Sequence, residues 1–206
     1  MAQPFRTTPQ GVTARLEPQE RGLLRRLFED VVSMVEPEQV ASDDPLEQLM
    51  GISEDTGTPP DPAVHRLFPD ASPDSGRAEE FRRFTERSLR EEKVGSLRRA
   101  AMAVEHDPVR LDEAAAVDFS RALNDVRLVL ATRLHIDTEE DAHRIEQVAA
   151  SVAVDDVDDA ETYMSVVYGF VSWLQNSLVE AMLLGLPDLP EFPEESPEDP
   201  GAGRPE

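Results

Sequence analysis

The longest apolar stretch of the chain lies near its C-terminus, over residues 160–186, and carries no charge between Glu161 and Glu180. Its apolar residues surround a helical projection instead of forming one stripe, which predicts a helix buried on most faces. Serine, glutamine and asparagine residues interrupt it, so continuous apolar runs fall far short of the roughly 18 residues that span a bilayer. We therefore expect a helix inside a soluble bundle, with three aromatic residues as core anchors: Tyr163, Tyr168 and Trp173.

Apolar residues at three-four spacing predict four more helices. They run from Pro18 to Val35, over 77–105, over 111–134 with Asp112 as N-cap, and from Asp137 or Thr138 onward. In the last of these, a buried face is expected from Ile145, Val148, Ala149 and Val152.

Two short β-leaning runs near the N-terminus, Phe5–Thr8 and Val12–Leu16, flank a turn that contains Gly11. A two-stranded ribbon is marginal alone, so it should lie on the bundle. The predicted fold is a mainly all-α single domain: a bundle of about five helices around the buried C-terminal helix, with a small N-terminal β-hairpin.

The domain is expected to cover residues 1–186 and to contain a long proline- and aspartate-rich loop over 36–76. Two short helical turns are predicted in this loop, Pro45–Met50 and Asp61–Phe68. Residues 187–206 hold six prolines and seven acids, a composition typical of a disordered tail.

The 77–105 helix reverses the charge of the chain. Eight bases and five acids lie between residues 77 and 99, whereas the whole chain has a formal net charge of −23. On a helical projection, five bases share one broad face opposite Phe81 and Phe84; these bases are Arg82, Arg83, Arg87, Arg90 and Lys93. Beyond Gly95 apolar residues occupy that face, which predicts a kink or a change of neighbour.

Three interpretations of the basic face stay open. In the first, the face is solvated or pairs with the acidic 137–161 region. In the second, it docks onto an acidic protein surface. In the third, it contacts DNA phosphates. The strongly negative charge of the chain repels phosphate backbones and argues against broad DNA binding.

No pattern of catalytic, cofactor-binding or metal-ligating residues is predicted. The chain has no cysteine, which excludes thiolate chemistry, and it shows no phosphate-binding glycine loop and no zinc-protease motif. Four scattered histidines, His65, His106, His135 and His143, are interpreted as loop or surface residues. Residues 155–159 carry four aspartates that suit a helix N-terminus better than a calcium loop. The N-terminus lacks a secretory h-region, so we expect a cytoplasmic protein.

Three stretches carry a family resemblance: FRTTPQGVTARLEPQERGLLRRLFEDV, RRFTERSLREEKVGSL and LDEAAAVDFSRALNDVRLVLATRL. Together they resemble the actinobacterial domain-of-unknown-function family that contains the oxidative-stress transcriptional regulator AosR. The likeness covers roughly residues 4–186. It implies partners in a stress-type sigma factor and promoter-bound RNA polymerase, which that regulator engages through a redox-active cysteine pair. Because this chain has no cysteine, direct thiol sensing does not carry over.

The function expected from this resemblance is that of a non-enzymatic transcriptional regulator or adaptor. It would act by protein–protein contact with a sigma factor or RNA polymerase, in an oxidative-stress response, and without membrane attachment. Homo-oligomers are compatible with this mode. The alternatives are an uncharacterised helical enzyme and a direct DNA-binding regulator. The partner-binding residues predicted for the adaptor are Arg82, Arg83, Arg87, Arg90 and Lys93.

Overall fold

Helices dominate the computed structural model, which describes residues 2–36, 59–151 and 159–185 and, for Ala150 and Ser151, the backbone alone. The elements are β1 (Gln3–Thr8), β2 (Gly11–Arg15), α1 (Pro18–Val35), α2 (Pro62–Leu67), α3 (Ser75–Ala103), β3 (Val109–Leu111), α4 (Glu113–Arg133), α5 (Glu139–Ser151) and α6 (Ala160–Leu184). The predicted fold class, a mainly helical single domain with a small N-terminal sheet, is confirmed.

Helix α6 is the element against which the sheet, α4 and α5 pack. It begins at Ala160, as expected. Asp159 caps it, because its carboxylate accepts a hydrogen bond of 2.8 Å from the Thr162 amide. Strand β1 lies along its C-terminal half: the Thr7 hydroxyl donates to the Ala181 carbonyl over 2.6 Å, and the Phe5 amide donates to the Ser177 hydroxyl over 3.3 Å. None of the described helices combines the length and apolarity needed to cross a membrane.

The prediction that Tyr163, Tyr168 and Trp173 of α6 anchor the core is wrong for two of them. Tyr168 is buried, but Trp173 is 40% exposed and Tyr163 is 45% exposed. The buried side of α6 carries Val171 and Leu174, which lie about 100° or more around the helix from Trp173. Trp173 stacks on Phe170 instead, with ring centroids 6.2 Å apart. The sequence thus predicted that α6 is buried on more sides than the neighbouring elements cover.

The N-terminal sheet has three strands in the antiparallel order β1-β2-β3, one more than the predicted hairpin. Strand β3 pairs Val109 with Ala14 and Leu111 with Val12. The predicted start of the helix at residue 111 is therefore wrong by two residues, although Asp112 is its N-cap and accepts from the Ala115 amide over 2.8 Å. Three residues are too few to show a strand period, so β3 is recognisable only through its pairing partner.

Gly11 is required by the turn between β1 and β2. Its φ is +118°, and a Cβ at this position would lie 2.1 Å from the Leu111 carbonyl oxygen. We expect Gly11→Ala to lower the free energy of unfolding by about 2 kcal/mol, since it combines a strained φ with a backbone clash. Urea titration followed by circular dichroism measures this change. The control is Gly22→Ala, at an exposed position of α1 where an added Cβ meets no atom within 4 Å. Equal stability of the two variants would contradict the assigned strain.

The other helices follow the predictions closely. Helix α1 has the predicted bounds, and α2 lies within the predicted turn over 61–68. At the start of α5 the Thr138 hydroxyl accepts from the Asp141 amide, and Ile145 is buried, while Val148 and Ala149 are half-buried. Several predictions fall outside the described residues: the turn Pro45–Met50, the inward Val152, three of the aspartates of 155–159, and the 187–206 tail.

A cluster of phenylalanine rings joins the layers of the domain. Phe119 of α4 contacts Phe5 of β1 and Phe28 of α1 edge to face, with ring centroids 5.8 and 5.6 Å apart. Phe119 and Phe28 are both fully buried. These contacts fix α1, α4 and the sheet relative to one another. Helix α3 packs against α1 and α4.

Candidate interaction surface on helix α3

Helix α3 contains all five predicted partner-binding residues and runs without interruption through Gly95. The change expected at Gly95 is a change of neighbour. After it, Leu97 and Ala100 are buried in the apolar core. Before it, the segment over 77–93 meets the rest of the chain mainly through charged and aromatic groups, apart from the buried Ala78.

Arg82 lies on the inner side of this segment and is almost fully covered. Its guanidinium donates to the Asp70 carboxylate over 2.6 Å and to the Glu86 carboxylate over 2.9 Å, and its side chain is only 8% exposed. Desolvation lowers the pKa of Arg82, but the hydrogen bonds to Asp70 and Glu86 outweigh it, so that the pKa is raised. Arg82 therefore connects α3 to the segment that follows α2.

Phe68 forms a buried platform for two more of the predicted bases. The Arg90 guanidinium carbon lies 4.5 Å from the Phe68 ring centroid, and the Lys93 ammonium lies 5.8 Å from it. Arg90 also donates to the Val35 carbonyl at the end of α1 over 3.1 Å and pairs with Glu86 over 2.6 Å. A partly desolvated cation over an aromatic face is held more strongly than one in water.

Lys93 pairs with a buried acid that the sequence reasoning missed. Its ammonium lies 2.7 Å from the carboxylate of Asp125 on α4, which is only 3% exposed. Desolvation raises the pKa of Asp125, and this effect exceeds the lowering by Lys93. An aspartate in the middle of an amphipathic helix ordinarily faces water, so only the packing of α3 on α4 reveals this pair.

The outer side of the segment carries its aromatic residues. Phe84 is 67% exposed and Phe81 is 51% exposed. Arg83 and Arg87 are exposed beside them; Arg87 pairs with Glu91 over 3.0 Å, and Arg83 makes no ion pair with another described residue. We call the exposed surface formed by Arg77, Glu80, Phe81, Arg83, Phe84, Arg87, Ser88 and Glu91 the outer face of α3.

The structure thus divides the five predicted residues into two groups. Arg82, Arg90 and Lys93 face the protein, whereas Arg83 and Arg87 face solvent. The two phenylalanines do lie away from the inward bases, as projected, but they are the exposed side. The internal partners are Asp70, Glu86 and Asp125, and none of them belongs to the acidic 137–161 region.

A shallow groove separates α3 from the segment that follows α2. Its lining combines Phe68, Pro69 and Asp70 with Phe81 and Leu89 of α3. Leu89 is 41% exposed, so the groove extends the apolar surface next to Phe81. The geometry suits the edge of a docked protein segment better than an enclosed small molecule.

The remaining candidates are dispersed. His65 lies in α2, His106 follows α3, His135 follows α4 and has a φ of 52°, and His143 is exposed on α5. Across the described ranges, no three histidine, aspartate or glutamate side chains are placed to hold a metal ion. Asp159 is the one described member of the predicted aspartate group, and it caps α6 as expected.

The fold and its exposed α3 define a helical-bundle domain with an aromatic and cationic surface. The family model "Domain of unknown function (DUF2017)" matches residues 2–182. The chain therefore belongs to the DUF2017 family. No curated protein and no solved structure matches it.

Proposed function

We propose that this chain is a non-enzymatic regulator of transcription that binds a sigma factor or RNA polymerase through the outer face of α3. Membership of the DUF2017 family gives no function by itself. The regulatory role is taken from the resemblance to the actinobacterial group that contains AosR. It places the protein in the cytoplasm, where the transcription machinery is.

The observation that carries the proposal is the exposure of Phe81 and Phe84 between arginines. Aromatic residues and arginine are enriched in the cores of protein–protein interfaces, and they dominate the binding energy when they become desolvated. A helix that directs two phenylalanines to solvent, 51% and 67% exposed, is unusual for a face that has no partner.

The charges around these rings favour an acidic partner surface. Arg77, Arg83 and Arg87 are exposed in the same segment as the two rings, whereas the chain as a whole carries −23. A local cationic site in a negative field orients an approaching acidic partner more than it increases the final affinity. Capture should therefore weaken as the salt concentration rises.

Stress dependence through a thiol would have to enter through the partner. Without cysteine, this chain has no thiol that peroxide could oxidise. We propose that the sigma factor or polymerase state determines when the contact forms, and that the chain acts as the adaptor.

The first test of this proposal exchanges the two outward arginines. Arg83→Glu with Arg87→Glu should reduce capture of the purified sigma factor or RNA polymerase at least about tenfold, because two charges reverse next to the two rings and then repel an acidic partner. Pull-down and biolayer interferometry measure this at two salt concentrations. The inward Arg82, Arg90 and Lys93 are left unchanged, since their loss would weaken the fold itself.

A matched control reverses two arginines elsewhere. Arg15→Glu with Arg26→Glu makes the same change in net charge at exposed positions on β2 and α1 that form no ion pair with a described residue. This control should retain capture. Undiminished capture by the α3 variant, or an equal loss in the control, would contradict the assigned surface. A strongly salt-dependent gel shift with DNA alone would favour direct DNA binding instead.

A further inference from the structure

The outer face of α3 is self-complementary: its apolar and charged residues can pair with the same residues of a second copy. We propose that two copies of this chain pair through it, with their α3 helices antiparallel about a two-fold axis that passes between Phe81 and Phe84. Phe81 of each copy then packs against Phe84 of the other. This self-pairing does not depend on whether the same surface also binds the transcription machinery.

The spacing of the outer face is that of a helix–helix seam. Residues 77, 81, 84, 88 and 91 follow each other at alternating intervals of four and three, which keeps them on one line along a helix. The second and third of these positions are the exposed phenylalanines, and the fourth, Ser88, is small enough to permit close approach.

Two charged residues beside the seam complete the self-complementarity. Glu80 and Arg87 lie seven residues apart, so they project from the same flank of the helix. In an antiparallel pair, Glu80 of one copy lies beside Arg87 of the second copy, and the symmetry axis repeats this contact. Glu80 makes no ion pair with another described residue, and the exposed Arg87–Glu91 pair is weak enough to exchange.

The charge of the whole chain opposes self-association at most surfaces and leaves the outer face of α3 as the place where two copies can meet. With a net charge of −23, two copies repel each other over most approaches. The outer face carries Arg77, Arg83 and Arg87 against Glu80 and Glu91, so here the local charge is not negative. We expect a contact limited to this stretch to bury less than the roughly 800 Å² per partner of a standard interface, and therefore expect a reversible monomer–dimer equilibrium.

Charge exchange on the purified full chain tests the pairing. Glu80→Arg and Arg87→Glu should each weaken dimerisation roughly tenfold or more, because each creates two like-charge contacts across the axis. The double variant E80R/R87E should return to within about threefold of the original chain. An equimolar mixture of the two single variants should also dimerise, since both cross-axis contacts then join opposite charges. Sedimentation equilibrium across a concentration series measures all four.

The controls separate this inference from the proposed function. Asp30→Arg and Arg26→Glu make the same charge changes at exposed positions of α1 and should leave dimerisation unchanged. An acidic sigma factor or polymerase surface would be bound more tightly by E80R, whereas self-pairing is weakened by it. A chain that stays monomeric up to millimolar concentration, or a mixture of single variants that fails to pair, would overturn the self-pairing and leave the proposed function standing.

Discussion

Phe119→Ala is expected to lower the free energy of unfolding by about 4 kcal/mol, within the range measured for truncation of a buried phenylalanine. Phe119 is fully buried and contacts Phe5 and Phe28 edge to face. Its loss removes apolar burial, leaves a cavity and cancels two aromatic contacts that join the sheet, α4 and α1. Urea denaturation followed by circular dichroism measures the change.

Two comparison variants separate the cavity from a general effect of the substitution. Phe119→Leu should cost only about 1.5 kcal/mol, since most of the volume remains. Phe84→Ala, at a phenylalanine that is 67% exposed, should change stability by less than about 0.5 kcal/mol. A similar loss for Phe84→Ala and Phe119→Ala would show that Phe84 is not a surface residue, and it would also remove the basis for the proposed docking surface.

Lys93→Met should destabilise the fold by about 3 kcal/mol at neutral pH, because it leaves the Asp125 carboxylate buried without its cation. Asp125 is only 3% exposed, so water cannot replace the lost partner. The double variant Lys93→Met with Asp125→Leu should recover most of the loss, since replacing both partners by apolar groups removes the uncompensated charge. The four proteins form a double-mutant cycle in urea denaturation.

The pH dependence of Lys93→Met gives the same test a second readout. Burial raises the folded-state pKa of Asp125 above its unfolded value even with Lys93 present. Stability from such a group is present below the unfolded pKa and is lost as the pH rises through the folded pKa. Without Lys93 the loss at neutral pH is larger, so the deficit of the variant should shrink as the pH falls. A deficit that stays constant with pH, or a double variant no better than the single one, would show that the pair does not act through buried charge.

The charged side of α3 attaches the helix to the rest of the domain, whereas its aromatic side is exposed. Arg82, Arg90 and Lys93 hold the segment against Asp70, Phe68 and Asp125, so its apolar rings are not needed for attachment. Phe81 and Phe84 are therefore available for an external partner. Removing one partner of a buried ion pair is costly, so these contacts keep the side of α3 that carries them turned toward the protein.

The sequence by itself determined the helices, because each is a local pattern. The bounds of α1, the cap at Asp112 and the short helix near residues 61–68 follow from spacing and capping chemistry within a few residues. The same chemistry placed the cap of α5 at Asp137 or Thr138 and a group of aspartates before α6, and the structure shows that Thr138 and Asp159 make the contacts. The basic character of α3 and the separation of Phe81 and Phe84 from the inward bases were also readable from a projection. Strand β3 was not, since its three residues become a strand only by pairing with β2.

Only the tertiary structure decided which side of α3 meets water. A projection shows that bases and phenylalanines separate, but it does not show which group has partners. Those partners, Phe68, Asp70 and Asp125, come from the segment after α2 and from α4, and their positions depend on how distant parts of the chain pack. The same reason applies to Trp173, whose exposure depends on which faces of α6 the neighbouring helices cover. Periodicity is a property of a short segment, whereas burial is a property of the whole fold.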